Sequence, residues 1–301
     1  MVSPTKRRLM PELPPHLHRK HQRLLARIQR RYKTRTQDVQ WGDVGFTFTR
    51  IADPEQVLDD VADEETRRTK INKDGSVTFK GEPLRMPYWA ELWESAEAIS
   101  QWLVENSGQG AVGRRRKRRG SARETTDTLL PKKKPFQVND IKMPAPPLSP
   151  PSPLPPAHRP LPTALDLGCG MGLAGCTAAA LGYAVTFADI ESPALLFAEL
   201  NALPFANVIC RKTNWQCDDL GRRFDLIIGA DILYERTQWD FLEPFWRNHL
   251  TDTGLIVLGE PGRPTSETFP TWINAKGWTV RMEKRAVPGR PEPIRLIFLN
   301  R

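Results

Sequence analysis

After Leu161 the chain alternates short apolar runs with stretches of helical spacing, and this restricts it to one architecture: a parallel sheet with helices packed against it. Strands are expected near 163–167, 183–188, 206–211, 224–230 and 254–259. Helices are expected between them, near 173–181, 192–202, 236–249 and 265–276. The last two apolar runs, Trp278 to Val287 and Ile294 to Leu299, are separated only by a short link containing Pro288-Gly289. They are expected to pair as a terminal antiparallel hairpin.

The first of these strands runs straight into a glycine-rich turn, Thr163-Ala-Leu-Asp166-Leu-Gly168-Cys-Gly170-Met-Gly172, and a helix follows from Leu173. Glycines at such a turn let the backbone approach a ligand closely. Gly170-x-Gly172-x-x-Gly175 also fits a dinucleotide fingerprint, so the turn by itself does not choose between NAD and other adenosine-containing cofactors. Asp189, at the end of the second strand, stands where an acid accepts hydrogen bonds from ribose hydroxyls, which again fits either.

The distinction comes from Asp166 inside an apolar strand and from two clusters at later strand ends. Asn214-Trp215 follows the third strand and offers an indole to cover an adenine ring. Asp231-Ile-Leu-Tyr234 follows the apolar fourth strand. Ligands of an open α/β sheet bind beyond the carboxyl ends of its strands, so these residues should converge on one crevice.

Leu165-Asp-Leu-Gly-Cys-Gly-Met-Gly-Leu-Ala-Gly175, Asn214-Trp215 and Asp231-x-x-Tyr234 together resemble the seven-strand class I methyltransferases. Within that class they are similar to the protein lysine methyltransferases that modify chaperones, translation factors and the electron-transfer flavoprotein β-subunit. Pro87-Tyr-Trp-Ala-Glu-Leu-Trp93-Glu-Ser-Ala resembles the segment preceding the subgroup's core, and Gly259-Glu-Pro-Gly-Arg263 its bacterial strand-five signature. The resemblance implies a Rossmann-like seven-strand sheet, mostly parallel with a C-terminal antiparallel hairpin and helices on both faces. It implies S-adenosyl-L-methionine as cofactor and a lysine-bearing protein as substrate. By the same resemblance, Trp93 contacts the methionine end, and Gly168, Gly170 and Gly172 line the backbone turn. Asp189 holds the ribose, Trp215 with Asn214 the adenine, and Asp231 and Tyr234 border the methyl-transfer site. Asp166 belongs to the same cofactor set.

A carboxylate with a reference pKa near 4 cannot keep a proton taken from an amine near 10, so Asp231 is expected to orient the amine, with Tyr234 and Trp89 as apolar walls. Four of the five histidines, His16, His18, His21 and His158, fall outside the expected core, leaving His249. No Ser/His/Asp set and no metal-ligand spacing is evident. The alternatives are a class I enzyme acting on a small-molecule amine, a nucleic-acid methyltransferase and a dinucleotide oxidoreductase. The second lacks the Asn/Asp-Pro-Pro-aromatic tetrad.

Charge divides the rest of the chain. Residues 1–40 hold 11 Lys/Arg against 2 Asp/Glu and residues 104–163 hold 12 against 4, whereas residues 41–103 hold 7 against 13. The expected organisation is a basic N-terminal arm (1–40), partly helical or disordered, and a lead-in segment packing on the core (41–103). A basic, Pro-rich disordered insertion (104–160) and the methyltransferase core (161–301) follow. The two basic stretches suit weak contacts with polyanions. Cys169, Cys176, Cys210 and Cys217 form no C-x-x-C pair, and no apolar run reaches the roughly 20 residues of a membrane span. A cytoplasmic monomer is therefore expected.

Overall fold

A computed structural model describes residues 13–71, 74, 76–81, 84–107 and 161–301. The expected insertion thus lies, beyond Ser107, outside the described residues.

Seven strands form the main sheet: β5 (Thr163–Leu167), β6 (Ala184–Asp189), β7 (Val208–Lys212), β8 (Phe224–Ala230), β9 (Leu250–Glu260), β10 (Thr279–Arg285) and β11 (Ile294–Asn300). Their spatial order is β7-β6-β5-β8-β9-β11-β10. The first five pair in parallel, and β11 inserts antiparallel between β9 and β10. The expected hairpin is therefore present, with its second strand on the inside. The order turns back on itself at β5 and β8, so a crevice opens at the carboxyl ends of these neighbours.

Side chains alternate across this sheet. Val257 of β9 and Phe298 of β11 face one layer, with α3 (Glu94–Asn106), α4 (Leu173–Ala180) and α5 (Ser192–Ala202). Ile256 and Ile297 face the other, with α6 (Trp239–His249) and α7 (Phe269–Ala275). The helices fall within the expected ranges, although the first turns before α6 and α7 are 3-10 segments.

The N-terminal part differs more from expectation. The 40/41 boundary falls inside β1 (Thr34–Trp41), which pairs antiparallel with β2 (Val44–Ile51) from Thr34↔Ile51 to Trp41↔Val44. Backbone pairing makes these residues one unit, whatever their charge. Helix α1 (Pro15–Gln29) buries Leu24 and Ile28 in the core, and its Lys20 pairs with Glu199 of α5 at 2.7 Å. Helix α2 (Pro54–Arg68) is capped by Asp53, whose carboxylate accepts from Gln56 N–H at 3.2 Å, and leads to the small β3 (Thr69–Ile71) and β4 (Val77–Phe79) pair.

Asn201 on α5 fastens the hairpin to the glycine turn. Its Oδ1 accepts from Thr49 N–H at 2.8 Å, and its Nδ2 donates to the carbonyls of Thr49 at 2.9 Å and Met171 at 3.0 Å.

Residues 87–103, whose apolar spacing reads as one amphipathic helix, are helical in two pieces. A 3-10 turn at Tyr88–Ala90 precedes α3, which begins only at Glu94. Trp93 stays extended (ψ 134°) and donates its indole N–H to the Tyr88 carbonyl at 3.0 Å, which competes with helix propagation. The interruption turns Tyr88, Trp89 and Trp93 toward the crevice.

Candidate active site

A cavity of about 450 Å³ opens at the carboxyl ends of β5, β6 and β8, within the size range of small-molecule sites, roughly 300–1,000 Å³. Its floor is the glycine turn. Gly168, Gly170 and Gly172 all take positive φ (64°, 51° and 88°). A side chain at Gly168 would also put its Cβ 2.8 Å from Ile232 and 3.6 Å from Trp215, so the close packing of this turn requires glycine.

Asp189 fixes the turn from the next strand. Its Oδ2 accepts from Gly170 N–H and its Oδ1 from Glu191 N–H, both at 2.9 Å. The carboxyl group is buried, which pushes its pKa up to about 6. Trp215 stands over the turn, and its indole N–H donates to Gln238 Oε1 at 3.0 Å, which fixes the ring. Asn214 shapes the same loop: its N–H donates to Asp218 at 2.8 Å and its Oδ1 accepts from Gln216 N–H at 3.1 Å.

At the other end of the cavity lies Asp231, one of two described non-glycine residues with positive φ, at 54°. A left-handed conformation costs such a residue roughly 1–2 kcal/mol. It is held by Asp231 N–H donating to the Gly259 carbonyl at 2.8 Å and by Arg263, which donates from Nε to Oδ1 at 3.0 Å and from Nη2 to Oδ2 at 2.7 Å. Burial raises the Asp231 pKa and the Arg263 contacts oppose the rise. Arg263 in turn lies 5.3 Å from the Trp93 ring centroid.

Glu260 builds the loop that carries Arg263. Fully buried, its carboxylate accepts from Gly262 N–H at 2.9 Å, Arg263 N–H at 2.5 Å and Arg295 Nε at 2.6 Å. The mouth is aromatic and partly open, with Tyr88 and Tyr234 packed at 5.8 Å between centroids and both substantially exposed.

Of the expected site residues, Trp93, Gly168, Gly170, Gly172, Asp189, Asn214, Trp215, Asp231 and Tyr234 all line this one cavity. Asp166 does not. It sits behind the turn, accepts from Gly175 N–H at 2.9 Å in the first turn of α4, and is driven by burial to a pKa of about 8. Sequence reasoning found an acid in an apolar strand but not the side toward which it points. It also left Arg263 and Gln238 out of the site. Arg263 was visible as part of Gly259-Glu-Pro-Gly-Arg263, but nothing in that pattern names a partner 32 residues away.

The residues present suit a cationic adenosine cofactor. A turn with glycine at 168, 170 and 172, a buried carboxylate beside it, an indole held at its N–H by Gln238 and a second carboxylate at the far end supply a close-approach surface, ribose acceptors, a ring face and negative charge.

Residues 87–269 match the model of a family described as lysine methyltransferase. Protein N-lysine methyltransferase METTL21A of Xenopus tropicalis is 35% identical over 102 residues, which is 31% of this chain and 46% of that relative, so the match spans less than half of the relative's length. Among solved structures, N-methyltransferase NodS from Bradyrhizobium japonicum in complex with S-adenosyl-L-homocysteine is 19% identical (TM-score 0.41; 46% of this chain, 77% of that one). Glycopeptide N-methyltransferase MtfA complexed with S-adenosyl-L-homocysteine is 15% identical (TM-score 0.41; 46% and 82%). With more than half of its length matched by the family model, this chain belongs to the lysine methyltransferase family.

Proposed function

We propose that this enzyme methylates the side-chain amine of a lysine presented by a protein. The observation that carries this reading is the two-ended cavity, with the glycine turn, Asp189 and Trp215 at one end and Asp231 with an exposed aromatic mouth at the other. An acceptor small enough to be enclosed needs no outward collar of apolar groups. Met86, Tyr88 and Tyr234 are exposed beside this opening and suit the surface of a macromolecule.

Gly168, Gly170 and Gly172 would hold S-adenosylmethionine through their backbone, Asp189 through the ribose, Trp215 and Asn214 around the adenine, and Trp93 at the methionine end. That cofactor supplies a methyl group on a sulfonium, a leaving group already activated, so positioning provides most of the catalysis. Asp231 does the positioning. Arg263 donates one hydrogen bond to each carboxylate oxygen, and each oxygen retains a lone pair for an amine N–H arriving from the mouth.

Asp231 is not the final proton acceptor, because even with its pKa raised it is far weaker as a base than an amine. The aromatic walls, Tyr88, Trp93 and Tyr234, desolvate the amine and favour its neutral form, and the open mouth gives its proton a route to water. Asp231→Ala and Asp231→Asn are expected to bind S-adenosylhomocysteine within a few-fold of the parent while methyl transfer is largely abolished. Full transfer by either folded variant would rule out this role.

A further inference from the structure

Among the described residues, the surface with the most one-sided charge is not at the cavity. Residues 13–37 contain eight Lys/Arg, from Arg19 to Arg35, and no Asp or Glu. Helix α1 divides them sharply. Leu24 and Ile28 are buried, Leu17 and Leu25 are half-buried, and Lys20 is paired with Glu199. Arg19, Arg23 and Arg27 are exposed on the outer side at four-residue intervals, and the exposed Arg30 continues the row. At 1.5 Å rise per residue, these four guanidinium stems span roughly 16 Å.

Like charges four apart on a helix destabilise it by roughly 0.2–0.5 kcal/mol per pair, and α1 has neither a side-chain N-cap nor an acid in its first turn. Its apolar face holds it in place despite the row. Beyond the end of the row, Arg31 lies 5.4 Å from the Tyr32 ring centroid, and Tyr32 packs edge-on at 5.4 Å against Trp89 of the cavity wall.

We infer that α1 docks the enzyme on the phosphate backbone of a nucleic-acid duplex. Protein interfaces are built around buried apolar or aromatic anchors, and no large apolar side chain is exposed on α1. Single strands are held by stacking platforms of large aromatic side chains, and α1 carries no Phe, Tyr or Trp. A row of arginines, each able to take a phosphate bidentately and with no competing acid, is what a sequence-independent duplex contact requires. The inference does not depend on the identity of the methyl acceptor.

The test is fluorescence anisotropy of a labelled 20-base-pair RNA duplex titrated with the full chain at 50 and 200 mM KCl. Four phosphate contacts predict an affinity about 100-fold weaker at the higher salt, a log–log slope near −3.6. The variant R19Q/R23Q/R27Q/R30Q should bind at least tenfold more weakly at 50 mM and show a flatter slope. Removing the charges of Arg114, Arg115, Arg116, Arg118 and Arg119 instead should leave binding within threefold. Unchanged thermal unfolding shows that α1 remains docked. If the quadruple variant unfolds, R19Q and R23Q singly should each reduce the slope by about 0.9. Duplex binding within threefold of the parent by the folded α1 variant, no binding by the parent at 50 mM, or displacement of the duplex by an equal charge of polyglutamate would each overturn the inference.

Discussion

Removing Arg263 should leave a buried carboxylate without its cation, and the size of the effect follows from the geometry. The Asp231 side chain is 3% exposed and that of Arg263 36%, with two hydrogen bonds between them. Breaking a wholly buried pair by deleting one partner costs roughly 3–5 kcal/mol, but the solvated side of Arg263 reduces this to about 1–3. Loss of the contact with Trp93 adds about 0.5–1 kcal/mol.

Arg263→Ala should therefore lower the unfolding free energy by about 1.5–4 kcal/mol at pH 8 in urea denaturation. The deficit should shrink on acidification. Burial raises the folded pKa of Asp231 and Arg263 opposes it, so in the variant the folded pKa lies further above the unfolded one. The penalty is absent below the unfolded value, near 4, and grows as pH rises toward the folded value. Asp231→Asn in the Arg263→Ala background should recover about 1–2 kcal/mol at pH 8, because it removes the unpaired charge. A deficit under about 0.5 kcal/mol, or one independent of pH between 5 and 8, would refute this reasoning.

Asp166 gives a second pH test. Its folded pKa of about 8 lies above the unfolded value, so the folded state holds its proton more tightly and stability falls as pH rises from about 4 to about 8. Asp166→Asn keeps an acceptor for Gly175 N–H and should raise the melting temperature at pH 8, with the difference shrinking on acidification and vanishing only toward pH 4; equal melting temperatures at pH 8 would contradict the assignment. For Trp215, replacement by Ala should weaken S-adenosylhomocysteine binding about tenfold or more by calorimetry, since aromatic stacking on a base is worth roughly 1–3 kcal/mol. Phe at this position should recover part of that loss, and unchanged affinity in the Ala variant would remove the indole from the cofactor site.

The central sheet was legible because its strands carry their own signal. A run such as Phe224-Asp-Leu-Ile-Ile-Gly-Ala is buried on both faces and bounded by turn residues, and the glycine turn has no other reading than close backbone approach. The N-terminal elements were legible only in part. Only Val57 of α2 is buried, so the amphipathic pattern is faint, and β1 is a polar edge strand whose partner supplies the order. In α1 the helical spacing of Leu24 and Ile28 is readable, but nothing in so basic a stretch shows that these two residues dock the helix on α5. The site was legible wherever a residue sits at a strand end, as with Asp189, Trp215 and Asp231. It was not where a role depends on a distant partner: Arg263 on Asp231, Gln238 on Trp215, and Asn201 between Thr49 and Met171.

The most direct test of the account follows the methyl group itself. The enzyme and its Asp231→Ala variant are each incubated with isotope-labelled S-adenosylmethionine and host lysate, and the label is located by mass spectrometry. The account predicts label on the side-chain nitrogen of a protein lysine with the parent enzyme and none with the variant. Label found only in small molecules or RNA, or equal labelling by both proteins, would contradict it.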